Sequence, residues 1–416
     1  MKTGAMELLT GAPHPTCNLK VQIGVSGAAR GAASQIGARR SFRDSILSLL
    51  ATALNRRLLD NFNTNSTDQS DSEIRVPANV FFRTDVLASE KEALFRNIPQ
   101  PVAFSAEIPR EGNYLSLSVL DIPVLLTRDS SGQIHAFINA CSHRGAPVAQ
   151  GSGNTRRLLC PFHGWSYSLE GALVGRPQDS CFDSEKTDSG LTRLPVSEKC
   201  GIVVVALHTD IPHSEVEAAL GELEEEIGDF HLESYSAIDR RVISVRANWK
   251  LVNDLSLESY HFNVLHRDSV ATVLASNAIV DTYNRESRWA FPLKSIRRLN
   301  DLEEADWPDA IEGSCTYTIF PGVMIIVNGS GAQMIRTEPG ATPENSRVLY
   351  VGIAGPNGTF DEAEQAYRFG GEVFEEEDLP MAEQCQRGLE AGEQDLIIGK
   401  NEPLLQFWHR LWSDAL

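Results

Sequence analysis

Four residues in one short stretch have the chemistry of metal ligands: Cys141 and His143, then, after sixteen residues, Cys160 and His163. Thiolates are soft donors that suit iron–sulfur units or zinc, and imidazole suits either metal. Two cysteines and two histidines also build a tetrahedral structural zinc site. The neighbours weigh against zinc. Zinc-binding pairs usually keep two or more residues between ligands, whereas one residue separates Cys141 from His143. Glycine follows both pairs, in Arg144-Gly145-Ala146-Pro147 and in Gly164-Trp165. Loops that close over a bulky inorganic cluster need such backbone freedom, and its sulfides take nearby amide donors. Phe162, Trp165 and Tyr167 are placed to shield a cluster. If Cys141 and Cys160 take one iron and His143 and His163 the other, the imidazoles raise the reduction potential above that of an all-thiolate cluster.

A second constellation follows Asn248-Trp249-Lys250. Asp254, Glu258 and His261 are spaced four and three apart, so a helix over Asp254 to His266 would put them on one face. His266 lies five residues beyond His261 and needs a bend if both imidazoles are to meet one ion. Two imidazoles and one carboxylate with open positions are the arrangement of non-heme Fe(II) oxygenases. By spacing alone, ordinary structural roles stay open for both histidines. Likewise Glu375 to Asp378 reads as an acidic helix start, which the helix dipole favours.

The elements that must position these residues fall into two regions. Short β-rich runs and glycine turns fill the first, at Tyr114 to Thr127, Ile134 to Asn139 and through to Leu207, with a short helix at Ser89 to Phe95. The second mixes classes. Strands are expected at Arg241 to Val245, Cys315 to Ile319, Val323 to Val327 and Val348 to Ala354, and helices at Glu215 to Phe230, Asp254 to His266 and Phe374 to Glu390. That order gives an α+β fold, a β-rich cluster domain followed by a helix-flanked antiparallel sheet. The expected division is a flexible extension at 1–75, a helical segment at 76–99, the cluster domain at 100–207 and the catalytic domain at 208–416. Within the extension, Ser45 to Leu59 has an amphipathic helical pattern and Asn61 to Ser72 reads as linker. A targeting peptide is a weaker reading of the acid-poor start.

The chain has 416 residues and a formal charge of -19, the opposite of a nucleic-acid footprint and unfavourable for an anionic membrane surface. No run reaches the roughly 18 apolar residues that would span a bilayer. Seven scattered cysteines without a secretory signal point to a reducing compartment, the cytoplasm. Cys181, Cys200, Cys315 and Cys385 are expected to be small buried hydrophobes. No G-x-G-x-x-G strand–helix element or phosphate loop supports direct nucleotide binding.

The stretch CSHRGAPVAQ…LLCPFHGWSYSLEGALVG resembles the Rieske [2Fe–2S] segment of ring-hydroxylating oxygenase alpha subunits. NWK…ESYH…H resembles their mononuclear-iron segment, and ED…E…QRGL from Glu377 to Leu389 resembles a late segment of the same proteins. The likeness spans about residues 76 to 416. It implies that Cys141, His143, Cys160 and His163 hold the cluster, and that His261, His266 and Asp378 hold a mononuclear iron. By the same likeness Glu258 links an iron-site histidine to a cluster histidine of a neighbouring subunit, and Asp254 keeps an acidic position close by. Leu255 departs from the pattern by standing where an asparagine is common.

The resemblance further implies dioxygen chemistry on an aromatic or other small organic substrate, with a quaternary amine or N-/O-demethylation as the alternative. Phe262, Val264, Leu265, Phe320 and Met324 are the candidate pocket residues. Electrons would come from NAD(P)H through a separate reductase, with or without a ferredoxin. The family assembly is commonly a ring of three alpha subunits, alone or with beta subunits. A bare Rieske electron carrier and a zinc-binding protein are the rival readings. The first would be far shorter and would lack Asn248 to His266.

Overall fold

A computed structural model describes residues 37–392 and 394–416, with side chains from Leu50 onward. Cys17 and the first part of the expected extension lie outside the described residues. Two β-built regions pack together, and the larger is a long antiparallel sheet with helices against both of its faces.

The first region combines a five-stranded antiparallel sheet with two three-stranded ones. The five-stranded sheet is built on Asn113–Val119, Ile122–Arg128 and Ile134–Ile138. The three strands Leu158–Leu159, Ser166–Tyr167 and Leu173–Gly175 form a small cap that carries the second Cys–His pair. Leu125, Phe137, Val148, Leu158, Trp165 and Tyr167 pack with Cys141 and Cys160 as a separate apolar cluster. The cysteines thus sit in a small dry core of their own.

The second region is organised by seven strands: β1 (Ser236–Val245), β2 (Ile279–Thr282), β3 (Glu286–Pro292), β4 (Gly313–Ile319), β5 (Val323–Val327), β6 (Gly331–Pro339) and β7 (Ser346–Ala354). Their order is β1-β7-β6-β5-β4-β3-β2, antiparallel throughout. Because side chains alternate across a sheet, Cys315, Tyr317, Ile319, Val323, Ile325, Met334 and Val351 face one way, and Met324, Ile335, Val348 and Tyr350 face the other. Against the second face lie Val252 of the Trp249–Asp254 helix, Phe374 and the Leu379–Gly392 helix.

The Asn248-Trp249-Lys250 motif is a clamp. The Asn248 side chain caps its helix by accepting from the Lys250 amide at 3.0 Å, and donates to the carbonyls of Phe81 and Pro343, each at 3.0 Å. Its own amide donates to Gln386 Oε1 at 2.9 Å. Trp249 Nε1 donates to Glu90 Oε2 at 2.8 Å, and Lys250 forms a buried ion pair with the same carboxylate. One motif therefore ties the segment before the first domain to the helix that precedes His261 and His266.

Four expectations change. Residues 50–75 are not a flexible extension. The helix Gly37–Thr64 buries Leu54, Leu58 and Leu59 on the outer sheet face, and Asn55 pairs with the Ala310 carbonyl and the Glu312 amide. The supposed linker is pinned too, since Asp68 accepts from Arg57 and from the Val280 amide. The helix at 215–230 is broken into His213–Glu217 and Glu224–Gly228, with Gly221 at φ +52° between them, where the Glu286 carboxylate leaves no room for a side chain. The helix over Asp254 to His266 ends at Asp254, and successive turns follow. Of the four spare cysteines, Cys315 is buried, but Cys200 is half-buried and Cys181 and Cys385 are exposed. Cys181 sits on a surface 3-10 turn and Cys385 on the outer side of its helix.

Candidate active site

The two Cys–His loops are built alike. The Cys141 carbonyl accepts from the Gly145 amide at 2.8 Å, and the Cys141 amide donates to Ala146 O at 2.8 Å. In the second loop Cys160 accepts from Gly164 at 3.1 Å and donates to Trp165 O at 2.8 Å. Gly145 and Gly164 take φ +76° and +72°, a left-handed conformation costly for any residue with a Cβ. The repetition brings the Nδ1 atoms of His143 and His163 to 3.1 Å from each other. Trp165 is buried and stacks on His143 with ring centroids 4.9 Å apart, and the Tyr167 hydroxyl lies 3.0 Å from Cys141 Sγ. Phe162 is half exposed beneath Arg144 and shields less than expected.

Two buried thiols on one side and two facing Nδ1 atoms on the other suit a two-iron cluster. Among the described residues, the one group of such donors whose atoms all close to within 4.8 Å is a different one, His261, His266 and Asp378.

The triad is assembled from two distant segments. After the Trp249–Asp254 helix ends, the Glu258 carboxylate accepts from the amides of Tyr260 and His261 and starts a new turn. That turn runs on through Phe262, whose carbonyl accepts from the His266 amide at 3.1 Å, so the bend between the histidines is a capped restart rather than a continuous helix. Asp378 comes from a wide π turn, Phe374–Asp378, between the helices Phe360–Val373 and Leu379–Gly392. Pro380 lacks the amide that would close onto residue 376, which explains a break in the regular ladder at this point.

His261 Nε2 and His266 Nε2 lie 3.1 Å apart, and Asp378 Oδ1 is 3.7 Å and 3.1 Å from them. The far side of each ring is already engaged: His261 Nδ1 pairs with Glu258, and His266 Nδ1 lies 2.6 Å from Glu377 Oε2. Donation from both Nδ1 atoms leaves both Nε2 atoms with lone pairs that face each other and a buried carboxylate oxygen without a hydrogen-bond partner. A cation between them resolves all three, so these residues fit a metal ion. Burial pushes the Asp378 carboxyl up, and His266 stands above its ordinary value because Asp378 and Glu377 outweigh the effect of burial.

Asp254 is not in the triad. Its carboxylate is 2.9 Å from His409 Nε2 on the C-terminal helix Pro403–Asp414, so that helix contributes a polar contact beside the site as well as its tryptophans. Nearby Glu402 is half-buried and raised by burial, with the Glu258 and Asp254 charges adding to the effect. Neither Glu377 nor Glu402 was singled out from sequence. For Glu377 the signal was its adjacency to Asp378.

The pocket candidates divide. Phe262 is buried, with its ring 5.1 Å from His261 and 5.1 Å from Phe291, which leads on to Trp289 at 4.8 Å. Met324 faces the helices beside Leu255. Leu265 is half-buried. Val264 is 83% exposed, and Phe320 stacks on Trp408 in the main core.

Residues 98–195 match the Rieske [2Fe-2S] domain, and residues 232–416 match the catalytic domain of the ring-hydroxylating alpha subunit. The chain is 30% identical over 223 residues to the glycine betaine monooxygenase oxygenase subunit of Chromohalobacter salexigens, covering 53% of this chain and 48% of that protein. It is 29% identical over 219 residues to the anthranilate 1,2-dioxygenase large subunit of Acinetobacter baylyi, covering 49% and 45%. These alignments thus span about half the length of either relative. Among solved structures, the quaternary ammonium Rieske monooxygenase CntA superposes with a TM-score of 0.72 at 21% identity, over 82% of this chain and 96% of that one, a likeness of fold. The chain thus carries, in order, a Rieske [2Fe-2S] domain and the catalytic domain of a ring-hydroxylating alpha subunit.

Proposed function

We propose that this chain is the terminal oxygenase component of a multicomponent Rieske non-heme iron oxygenase. The observation that carries the reading is the pair of facing Nε2 atoms closed by Asp378, in one chain with a separate Cys–His quartet. When bound, the cluster supplies single electrons and the mononuclear iron supplies dioxygen activation, which no side chain here provides by itself. Cys141, Cys160, His143 and His163 would hold the first group, and His261, His266 and Asp378 the second. Glu258 orients His261 and, at the edge of the exposed Tyr260, is positioned to meet a second polypeptide.

That placement supports assembly as a homotrimer in which the quartet of one subunit meets Glu258 of the next. Tyr260 and Val264 beside the triad, and Leu159 and Phe162 beside the quartet, are the large exposed apolar residues such contacts would cover. The electron source in this reading is an NAD(P)H-dependent reductase, with or without a ferredoxin, and the compartment is the cytoplasm. Among the described residues no helix is long and apolar enough to cross a membrane.

The substrate is a small organic molecule held against Phe262 and the inner sheet face, and an aromatic ring is the first reading, in keeping with the anthranilate relative. A quaternary amine is the second. The aromatic rings that lead from Phe262, beside His261 and His266, to Phe291 and Trp289 would attract an N-methyl cation. The glycine betaine relative lends this reading support.

The test is aerobic turnover of an aromatic and quaternary-amine panel by the full chain with a surrogate reductase, using labelled dioxygen and product mass analysis. Label in a product, with a reduced Rieske spectrum and iron beyond the cluster, is the expected result. Colourless protein with stoichiometric zinc, or no labelled product from a fully metallated sample across an extended panel, would refute the proposal.

A further inference from the structure

Glu377 and Asp378 are adjacent in sequence, yet both reach one imidazole. Adjacent side chains on an α-helix diverge by about 100°, so this convergence needs an explanation, and the π turn Phe374–Asp378 with Pro380 just beyond it supplies one. Asp378 Oδ1 approaches His266 from the Nε2 side at 3.1 Å, and Glu377 Oε2 takes the Nδ1 side at 2.6 Å. The ring itself is buried. Ser269 Oγ donates to the same Glu377 oxygen at 2.9 Å, which fixes the carboxylate from the histidine's own turn.

From this geometry we infer that Glu377 is a positioning residue for the metal site, acting through His266. The inference rests on reading the triad as an iron site. Glu377 accepts the Nδ1 proton, so Nε2 is the unprotonated nitrogen and faces His261 and Asp378. It also locks the ring plane and makes the imidazole a stronger donor to a cation. Glu258 does the same for His261, but the two carboxylates differ. Glu258 also caps the Tyr260 and His261 amides next to an exposed ring, whereas among the described residues the Glu377 side chain hydrogen-bonds to His266 and Ser269. Each of the two histidines therefore has its own carboxylate on the Nδ1 side.

The experiment uses the full chain with its cluster in place, cleared of mononuclear iron by a chelator, and titrated anaerobically with Fe(II) or with Co(II) as a spectroscopic probe. Glu377→Ala is expected to weaken metal binding about 10–100-fold and to shift the Co(II) visible bands. Glu377→Gln keeps an acceptor and is expected to recover most of the affinity, and Ser269→Ala to lose only a few-fold. Cluster absorption and circular dichroism report whether each variant is folded. If Glu377→Ala does not fold, Glu377→Leu and Ser269→Ala decide the matter, since native affinity and unshifted bands in a folded variant of either would overturn the inference. Native affinity in a folded Glu377→Ala variant overturns it directly. His266→Ala separates the two failures: if it too keeps native affinity, the iron-site reading itself falls, and if it alone loses metal, only the role of Glu377 does.

Discussion

The two candidate metal sites are built in opposite ways. The Cys–His quartet comes from two local loops with the same hydrogen-bond pattern, each turned by one left-handed glycine and seated in its own small core. The triad joins a turn at 258–266 to a π turn more than a hundred residues later, and depends on a sheet and two helices to bring them together. A locally encoded site can be read as a motif. An assembled site can be read only as far as each half carries its own pattern, and its quality depends on the packing between the halves.

The sharpest way to break this contrast is to remove one ligand from each side. His266→Ala is expected to abolish mononuclear iron and turnover while the cluster spectrum stays intact, and Cys160→Ser to abolish the cluster spectrum while the triad still binds Fe(II). Loss of both metals from either variant would show that the sites are not independent. Glu258→Ala is expected to lower turnover about 10–100-fold with most iron retained, measured as the rate of cluster oxidation in the presence of substrate and dioxygen.

Stability should follow the same division. Glu90→Ala strands the buried Lys250 ammonium and removes the Trp249 partner, at an expected cost of about 3–5 kcal/mol in denaturant unfolding, with loss of iron before loss of the cluster. Asp281 is a smaller case. Burial alone would raise its carboxyl, but Arg288 and then Arg57 hold it below the ordinary carboxylate range. Its ion pairs therefore contribute fully above the unfolded carboxyl value near pH 4 and fade as pH falls through the lowered folded value. Asp281→Asn should cost about 2 kcal/mol at neutral pH and flatten the acid limb of the stability profile. Smallest of all, Gly145→Ala meets no neighbour within 4 Å and should cost only the backbone strain, about 1–2 kcal/mol, seen as a lower melting temperature with the cluster bound.

The sequence was most informative where one segment contained its own reason. The Cys–His loops, the Asn248-Trp249-Lys250 motif and strands β1, β4, β5 and β7 all follow from residue type and short spacing. Strand β6 was missed because Gln333, Arg336, Thr337 and Glu338 make it look like surface, yet every residue of it is buried. Its polar groups find partners across the fold, Gln333 with Tyr350 and Glu338 with Arg347. Spacing put Asp254 on one helix face with Glu258 and His261, and the likeness gave it an acidic position near the iron. The helix stops, and the carboxylate turns to His409 at the far end of the chain. Glu377 escaped notice because neighbours on an ordinary helix do not serve one ligand, and nothing in the letters announces a π turn except the proline that follows it.

The packing of Leu54, Leu58 and Leu59 has a practical side. Translation begun at Val76, where the family likeness starts, would leave a wall of Ile279, Ala290, Ile296 and their neighbours open to water and leave Asp281 with one counter-ion in place of two. Greasy walls of that kind glue copies of a protein together, so a trimmed version that precipitates would be reporting a missing lid, and its silence in an assay would say nothing about the chemistry beneath.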